Sequence, residues 1–298
     1  MNNKGTYLKY ILLVVMAGGL LFAQKPVRID EILTNQNSFR LDTTLSYSNI
    51  QSIGSLSASQ TFQTQNGDFV NIPVYLGTTK SNQDYLNMDV TLRYGVTKNL
   101  EAFVSLNGYS SSTKSTQLGD FLSRSDKGFN ALGAGVTYQV KPEDKTPSLL
   151  VGISTQVIEK TTINDKIYTN HFKNFRVFAT SFYSVDPVVL LLSTSYTFNK
   201  RKSLGNLKRK DANVLTLSPQ VYFTVNPYTS LSWGVKYNYF TKSKMEKTII
   251  GNSGSNLSFI TGLSYEFSSK MFMNFNAEFL NTSEISQNTF AMTFSYKF

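Results

Sequence analysis

One histidine and no cysteine stand beside 19 acidic residues and 29 Lys plus Arg in a chain of 298 residues. The missing thiols exclude cysteine nucleophiles, disulfides and cysteine-type zinc sites, and leave His171 as the only imidazole for a serine dyad. No Ser sits in a glycine-flanked nucleophile elbow. No catalytic residue, metal or cofactor is therefore expected. The acids are interspersed with Arg and Lys, a pattern that suits ion pairs before general acid–base couples.

The charges become informative once sorted by face. Arg40, Asp42, Asp89, Arg93, Glu101, Arg176, Lys236, Glu266, Glu278 and Lys297 all fall on the polar side of segments in which apolar and polar residues alternate. Phe290, Met292, Phe294, Tyr296 and Phe298 share one face of the last segment, opposite Thr289, Ala291, Thr293, Ser295 and Lys297. Leu231, Trp233, Val235, Tyr237 and Tyr239 oppose Ser232, Gly234, Lys236 and Asn238 in the same way. A helical period fits none of these segments.

Twelve strands are expected, at 39–51, 83–95, 99–111, 128–140, 148–160, 173–184, 188–199, 213–225, 229–242, 255–267, 270–281 and 287–298. Each is long enough to cross hydrocarbon, which takes about 9 to 11 tilted residues. Short turns near 96–99, 141–147, 185–187, 226–228 and 268–269 alternate with longer links, mostly of ten residues or more. Charged residues are only 16% of the chain and aromatics 13%. Few charges and many aromatics suit a lipid-facing surface, and aromatics at the ends of apolar faces suit membrane interfaces. A soluble sandwich would alternate too, but would not need that placement. The pattern reads as an all-β, transmembrane, antiparallel up-and-down β-barrel with both termini periplasmic.

Lys4 and Lys9 precede an uncharged apolar stretch from Tyr10 to Phe22, ending at Ala23. This is the pattern of a secretory signal peptide over residues 1–23, too short to span a bilayer. Residues 24–38 come next as a periplasmic lead or plug, and 39–298 form the barrel. The implied location is the outer membrane of a Gram-negative cell.

The stretch RYGVTKNLE at 93–101 resembles a hairpin of outer-membrane proteins of the MetA-pathway phenol-degradation type. The similarity continues through DKGFNALGAGVTYQV at 126–140, TPSLLVG at 146–152 and VDPVVL at 185–190. The resemblance implies an outer-membrane channel or transporter and carries over no catalytic residue.

Twelve tilted strands enclose a backbone diameter of roughly 24 Å, leaving about 10 to 14 Å inside the side chains. The expected function is passage of small solutes or export cargo. The alternative is a non-conducting structural or adhesin-type barrel acting through its outer loops. The ten inward charges are candidate pore-lining groups, with Arg40, Arg93, Glu101, Glu266 and Lys297 expected in one mixed ring near the periplasmic end. Two segments are candidate plugs, residues 26–38 and the link at 52–82. Lys200, Arg201, Lys202, Lys208, Arg209 and Lys210 crowd one outer link, and Lys242, Lys244 and Lys247 another. Their expected partner is lipopolysaccharide phosphate and not nucleic acid, since no recognition element with interleaved aromatics accompanies them. Phe298 is the expected assembly signal for the barrel-assembly machinery.

Overall fold

The computed structural model describes residues 33–53, 59–63, 69–73, 80–117, 120–163, 166–282 and 285–298. The segment read as a signal peptide and the first part of the lead lie outside them. Twelve long strands form the wall: β1 (Phe39–Ile53), β2 (Lys80–Gly95), β3 (Leu100–Gln117), β4 (Asp120–Lys141), β5 (Ser148–Ile163) and β6 (Asn174–Val185). They continue with β7 (Val188–Asn199), β8 (Val214–Asn226), β9 (Thr229–Phe240), β10 (Gly254–Ser268), β11 (Met271–Asn281) and β12 (Ile285–Lys297). Each pairs antiparallel with its sequence neighbour, and β12 pairs with β1, so the sheet closes on itself. Closure removes the edges that lipid could not hydrogen-bond.

The packing is inside out. Leu45, Leu92, Val104, Leu190, Leu217, Trp233, Phe259, Phe275 and Met292 are exposed, whereas Thr44, Ser46, Ser193, Thr216, Ser218, Ser258 and Thr293 are buried. Period two puts the first set on lipid and the second in the interior. Aromatics mark two heights of the outer face. Phe39 lies 4.8 Å from Tyr94 and Tyr296 4.9 Å from Phe298 at one end, and Phe279 lies 6.1 Å from Phe290 toward the other. Such girdles sit where headgroups begin.

The end carrying the links at 96–99, 142–147, 186–187, 227–228 and 269–270 is the turn end, and the opposite end is the loop end. Both described ends of the barrel chain reach the turn end, where the Phe298 amide donates to the Phe39 carbonyl at 2.9 Å.

At the loop end the links differ from expectation. Residues 112–117 and 120–127 continue as strand, with β3 and β4 in register from Ser110↔Lys127 to Gln117↔Asp120. The link between β11 and β12, residues 282–284, is also short. Ser112–Ser115 and Ser123–Lys127 are Ser, Thr and charged residues throughout, so they form strand without the alternation that marks lipid contact. Residues 166–170 pair with the end of β5, and Lys202–Leu204, Leu207–Lys210, Ser243–Met245 and Thr248–Gly251 build a separate four-stranded sheet. Within the link at 52–82, Ser59–Gln63 pairs with Phe69–Pro73 as a hairpin.

Deleting Phe298 removes the last amide bond of the seam and an aromatic of the girdle. The expected result is loss of the heat-modifiable folded band in cold-loaded electrophoresis. Full yield of that band after the deletion would separate Phe298 from closure.

Candidate functional site

The interior near the turn end is organised around Arg93. Arg40 and Arg93 are direct cross-strand partners, an arrangement that repels unless acids intervene. Two do. Arg93 places Nε 2.6 Å from Asp42 Oδ2 and Nη1 2.8 Å from Glu101 Oε1. Arg40 approaches the same two acids, at 3.3 Å from Asp42 and 3.9 Å from Glu101. All four side chains are at most 6% exposed, so two cations and two carboxylates neutralise one another out of water. The Arg93 guanidinium also lies 5.1 Å from the centre of the Phe103 ring, and that ring covers Gly135, where a Cβ would meet it at 2.4 Å.

The lead enters this cluster. The Thr34 amide and hydroxyl both donate to Glu101 Oε2, at 2.7 and 2.6 Å. Asn37, in the left-handed region at φ 59°, turns the chain inward and donates its amide to the Gly95 carbonyl at 2.8 Å. Gly95 is required there, because a Cβ would stand 2.1 Å from the Asn35 carbonyl oxygen. Beyond Thr34, Leu33 packs against the cluster of Leu150, Phe182 and Val189 on β5, β6 and β7. The lead therefore passes from the β1–β3 wall to a different part of the barrel.

Farther from the turn end, Lys236 on β9 pairs with Glu278 on β11 across β10, and Arg176 donates to the Thr197 hydroxyl at 3.3 Å. Asp89 accepts from Thr91 at 2.8 Å, and Asn130, Asn107 and Asn87 form a chain of amides with two bonds of 2.9 Å. Lys297 is the cross-strand partner of Arg40, yet its ammonium lies 5.9 Å from the Phe272 ring centre. Glu266 is half-buried on β10. The expected ring thus contracts: Arg40, Arg93 and Glu101 come together with Asp42 and Thr34, while the Lys297 ammonium turns toward Phe272. Nothing in the alternation marks Thr34 as Glu101's partner.

The basic outer link divides as well. Lys202 is buried and paired with Glu159 and, at 2.7 Å, with Asp211, while Arg209 Nε sits 2.6 Å from Asp211. Lys200 covers the Phe175 ring at 4.4 Å and Lys210 lies 6.0 Å from that of Phe198. Arg201 and Lys208 are exposed, as are Lys242, Lys244, Lys247 and His171. The expectation of six outward cations fails for Lys202 and Arg209 because acids of β5 and of the link itself turn them inward.

This closed twelve-stranded barrel with a polar interior is the fold of outer-membrane channels and translocators. An outer membrane channel from Pseudomonas putida F1 superposes with a TM-score of 0.61 at 10% identity, covering 91% of this chain and 99% of that one. The transport unit of the autotransporter AIDA-I from Escherichia coli gives 0.56 at 10% identity, covering 99% and 98%. The family model described as a MetA-pathway of phenol degradation matches residues 34–162. The resembling stretches at 93–101, 126–140 and 146–152 fall inside that match, and the one at 185–190 lies beyond it. No curated protein sequence matches the chain.

Two outcomes test the charge assignments. Glu101→Ala leaves Arg40 and Arg93 under-compensated in a buried site and should cost on the order of 3 kcal/mol, read as a lower melting temperature; an unchanged transition would show the cluster to be solvated. Burial pushes the Asp211 carboxyl up, but Lys202 and Arg209 outweigh it and hold the group at about 2, below its ordinary 3.8. A depressed acid stabilises above its unfolded pKa and loses that contribution as pH falls through the folded value. The loop-end sheet should therefore stay protected from proteolysis down to about pH 4 and loosen toward pH 2, a loss absent from the already weakened Asp211→Asn variant.

Proposed function

We propose that the chain is an outer-membrane channel for small solutes or export cargo, with its turn end toward the periplasm and its lead serving as the plug of that end. The observation that carries this is the double bond from Thr34 to buried Glu101, together with Leu33 seated on the Leu150–Phe182–Val189 cluster. A lead held only as a tether would have no need of a buried polar anchor, an apolar seat and a glycine cleared for its passage. The lead replaces water in satisfying Glu101, so removing it rehydrates the quartet and does not leave that oxygen bare. Opening is then a local exchange of a short segment for water, with the wall unchanged.

On this reading residues 1–23 are cleaved after export, β12 with Phe298 engages the barrel-assembly machinery, and Arg201, Lys208, Lys242, Lys244 and Lys247 face lipopolysaccharide phosphates. The candidate pore lining keeps its ten residues, with Lys236, Glu278, Arg176 and Asp89 above the plug. The reading needs no catalytic residue and no cofactor.

Planar-bilayer recording tests it. The full mature chain should show small or rare openings, and a chain lacking residues 24–34 should show frequent openings at least severalfold larger. Gly95→Ala, whose methyl collides with the lead's backbone, should open the pore in the same direction. Identical conductance in all three would remove the lead from the path, and no conductance in any would favour the structural or adhesin-type barrel.

A further inference from the structure

Cations that face each other as direct cross-strand partners repel unless something neutralises them. The chain answers two such pairs with its own acids. Arg40↔Arg93 has Asp42 and Glu101, and Lys202↔Arg209, in the link between β7 and β8, has Glu159 and Asp211. Lys210↔Lys244 is another cationic pair, in the four-stranded sheet at the loop end. Of the neighbouring acids, Asp211 is taken by Lys202 and Arg209, and Glu246 accepts from the Lys208 amide.

Successive residues of a strand face opposite ways, so Arg209 and Lys210 divide between the two sides of this sheet. Arg209 goes with Lys202 and the acids. Lys210 goes outward, its ammonium 6.0 Å from the centre of the Phe198 ring on the lipid-facing side of β7. Phe198 is the cross-strand partner of Phe175 on β6, and the exposed Lys200 holds its ammonium 4.4 Å from the Phe175 ring. Three lysines thus stand by one outward pair of rings. Beneath them on the wall, exposed Tyr196 has Val177 and Leu215, also exposed, as its cross-strand partners. The flank formed by β1 and β2 is different: there Asp84 accepts from Tyr47 and Asn49 at 2.6 and 2.8 Å.

The two halves of a ligand follow from this placement. Outward aromatics sit where hydrocarbon gives way to headgroups, so ammoniums held over them lie at headgroup depth with an acyl-accepting wall below. A zwitterionic headgroup would leave the lysines uncompensated, and a phosphodiester brings a single negative charge. A phosphate monoester brings about two and can accept from more than one ammonium at once. Lysines bind phosphate as point charges and need no fixed fork for it.

We infer that Lys200, Lys210 and Lys244 form a discrete site for a phosphate monoester of lipid A, the lipopolysaccharide headgroup, with acyl chains along the wall of β6 to β8. The site rests on the orientation in the proposed function, which puts the loop end in the outer leaflet. Beyond a general attraction of exposed cations, it fixes one lipid at one place on one flank.

The folded full chain, purified free of lipopolysaccharide in neutral detergent, is titrated with bisphosphorylated lipid A, with phosphatidylglycerol and with phosphatidylethanolamine, and bound lipid is counted by native mass spectrometry. One tightly held lipid A per barrel is expected. The double variant Lys210→Gln/Lys244→Gln should weaken it about tenfold, whereas Lys114→Gln/Lys127→Gln, which removes two exposed loop-end cations of β3 and β4, should not. Without lipid, Lys244→Gln should melt no lower than wild type, since it loses a repulsion and no ion pair. Equal weakening in both double variants would reduce the effect to net charge, and phosphatidylglycerol held as tightly as lipid A would remove the monoester; either result overturns the site. So would a clear loss of stability in Lys244→Gln, because the chain would then already neutralise the pair. Binding in detergent is read without conductance, so failure of the channel reading and failure of this site are told apart.

Discussion

Hydrocarbon offers no partner to a backbone N–H or C=O, and the architecture of the barrel is set by that constraint. The sheet has to close, and β1 and β12 close it along a ladder from Arg40↔Lys297 to Ser52↔Ile285. Closure with period-two side chains sends Leu, Val, Phe and Met outward and hydroxyls, amides and charges inward. The interior therefore cannot be held by apolar burial as in a soluble domain. It is held by hydrogen bonds and ion pairs, of which Thr44–Thr293 at 2.9 Å and Ser48–Thr289 at 3.0 Å are the simplest.

A polar interior away from water must also be neutral close to each charge. Three levels meet that demand separately. Arg40 and Arg93 face Asp42 and Glu101, Lys236 faces Glu278, and Lys202 with Arg209 faces Glu159 with Asp211. Because each level balances itself, each can take on a different task. The level near the turn end receives the lead, and the level near the loop end ties the link between β7 and β8 to β5 through Lys202 and Glu159. The apolar patch of Leu150, Phe182 and Val189 is an exception inside this polar wall, and Leu33 of the lead packs on it beside Leu191 and Tyr222 of the wall.

All twelve wall strands were legible in the sequence, since lipid on one side enforces strict alternation. Arg40, Asp42, Arg93 and Glu101 were legible as inward residues for the same reason, and three of them as near neighbours. Their contraction into a quartet was not, because it depends on side-chain reach across strands. Glu159 and Asn130 stayed hidden behind bulges at Val157 and Asn130, where one inserted residue reverses the phase within an unbroken run of strand. The strand ends at 112–117 and 120–127 read as a link because Ser112–Ser115 and Ser123–Lys127 are polar without a break. Between residues 26–38 and the link at 52–82 as plugs, sequence offered no choice; Thr34 and Gly95 supply the contacts that favour the lead.

Passage of the lead across the interior at the turn end is directly measurable, because the chain has no native cysteine. Leu33→Cys combined with Phe182→Cys, treated with a short thiol-to-thiol cross-linker after folding in lipid, should yield an intramolecularly bridged barrel. Its conductance should stay low while bridged, and cutting a reducible bridge should restore the small or rare openings of the full chain. Failure of the pair to bridge in folded protein, or high conductance while bridged, would contradict the account.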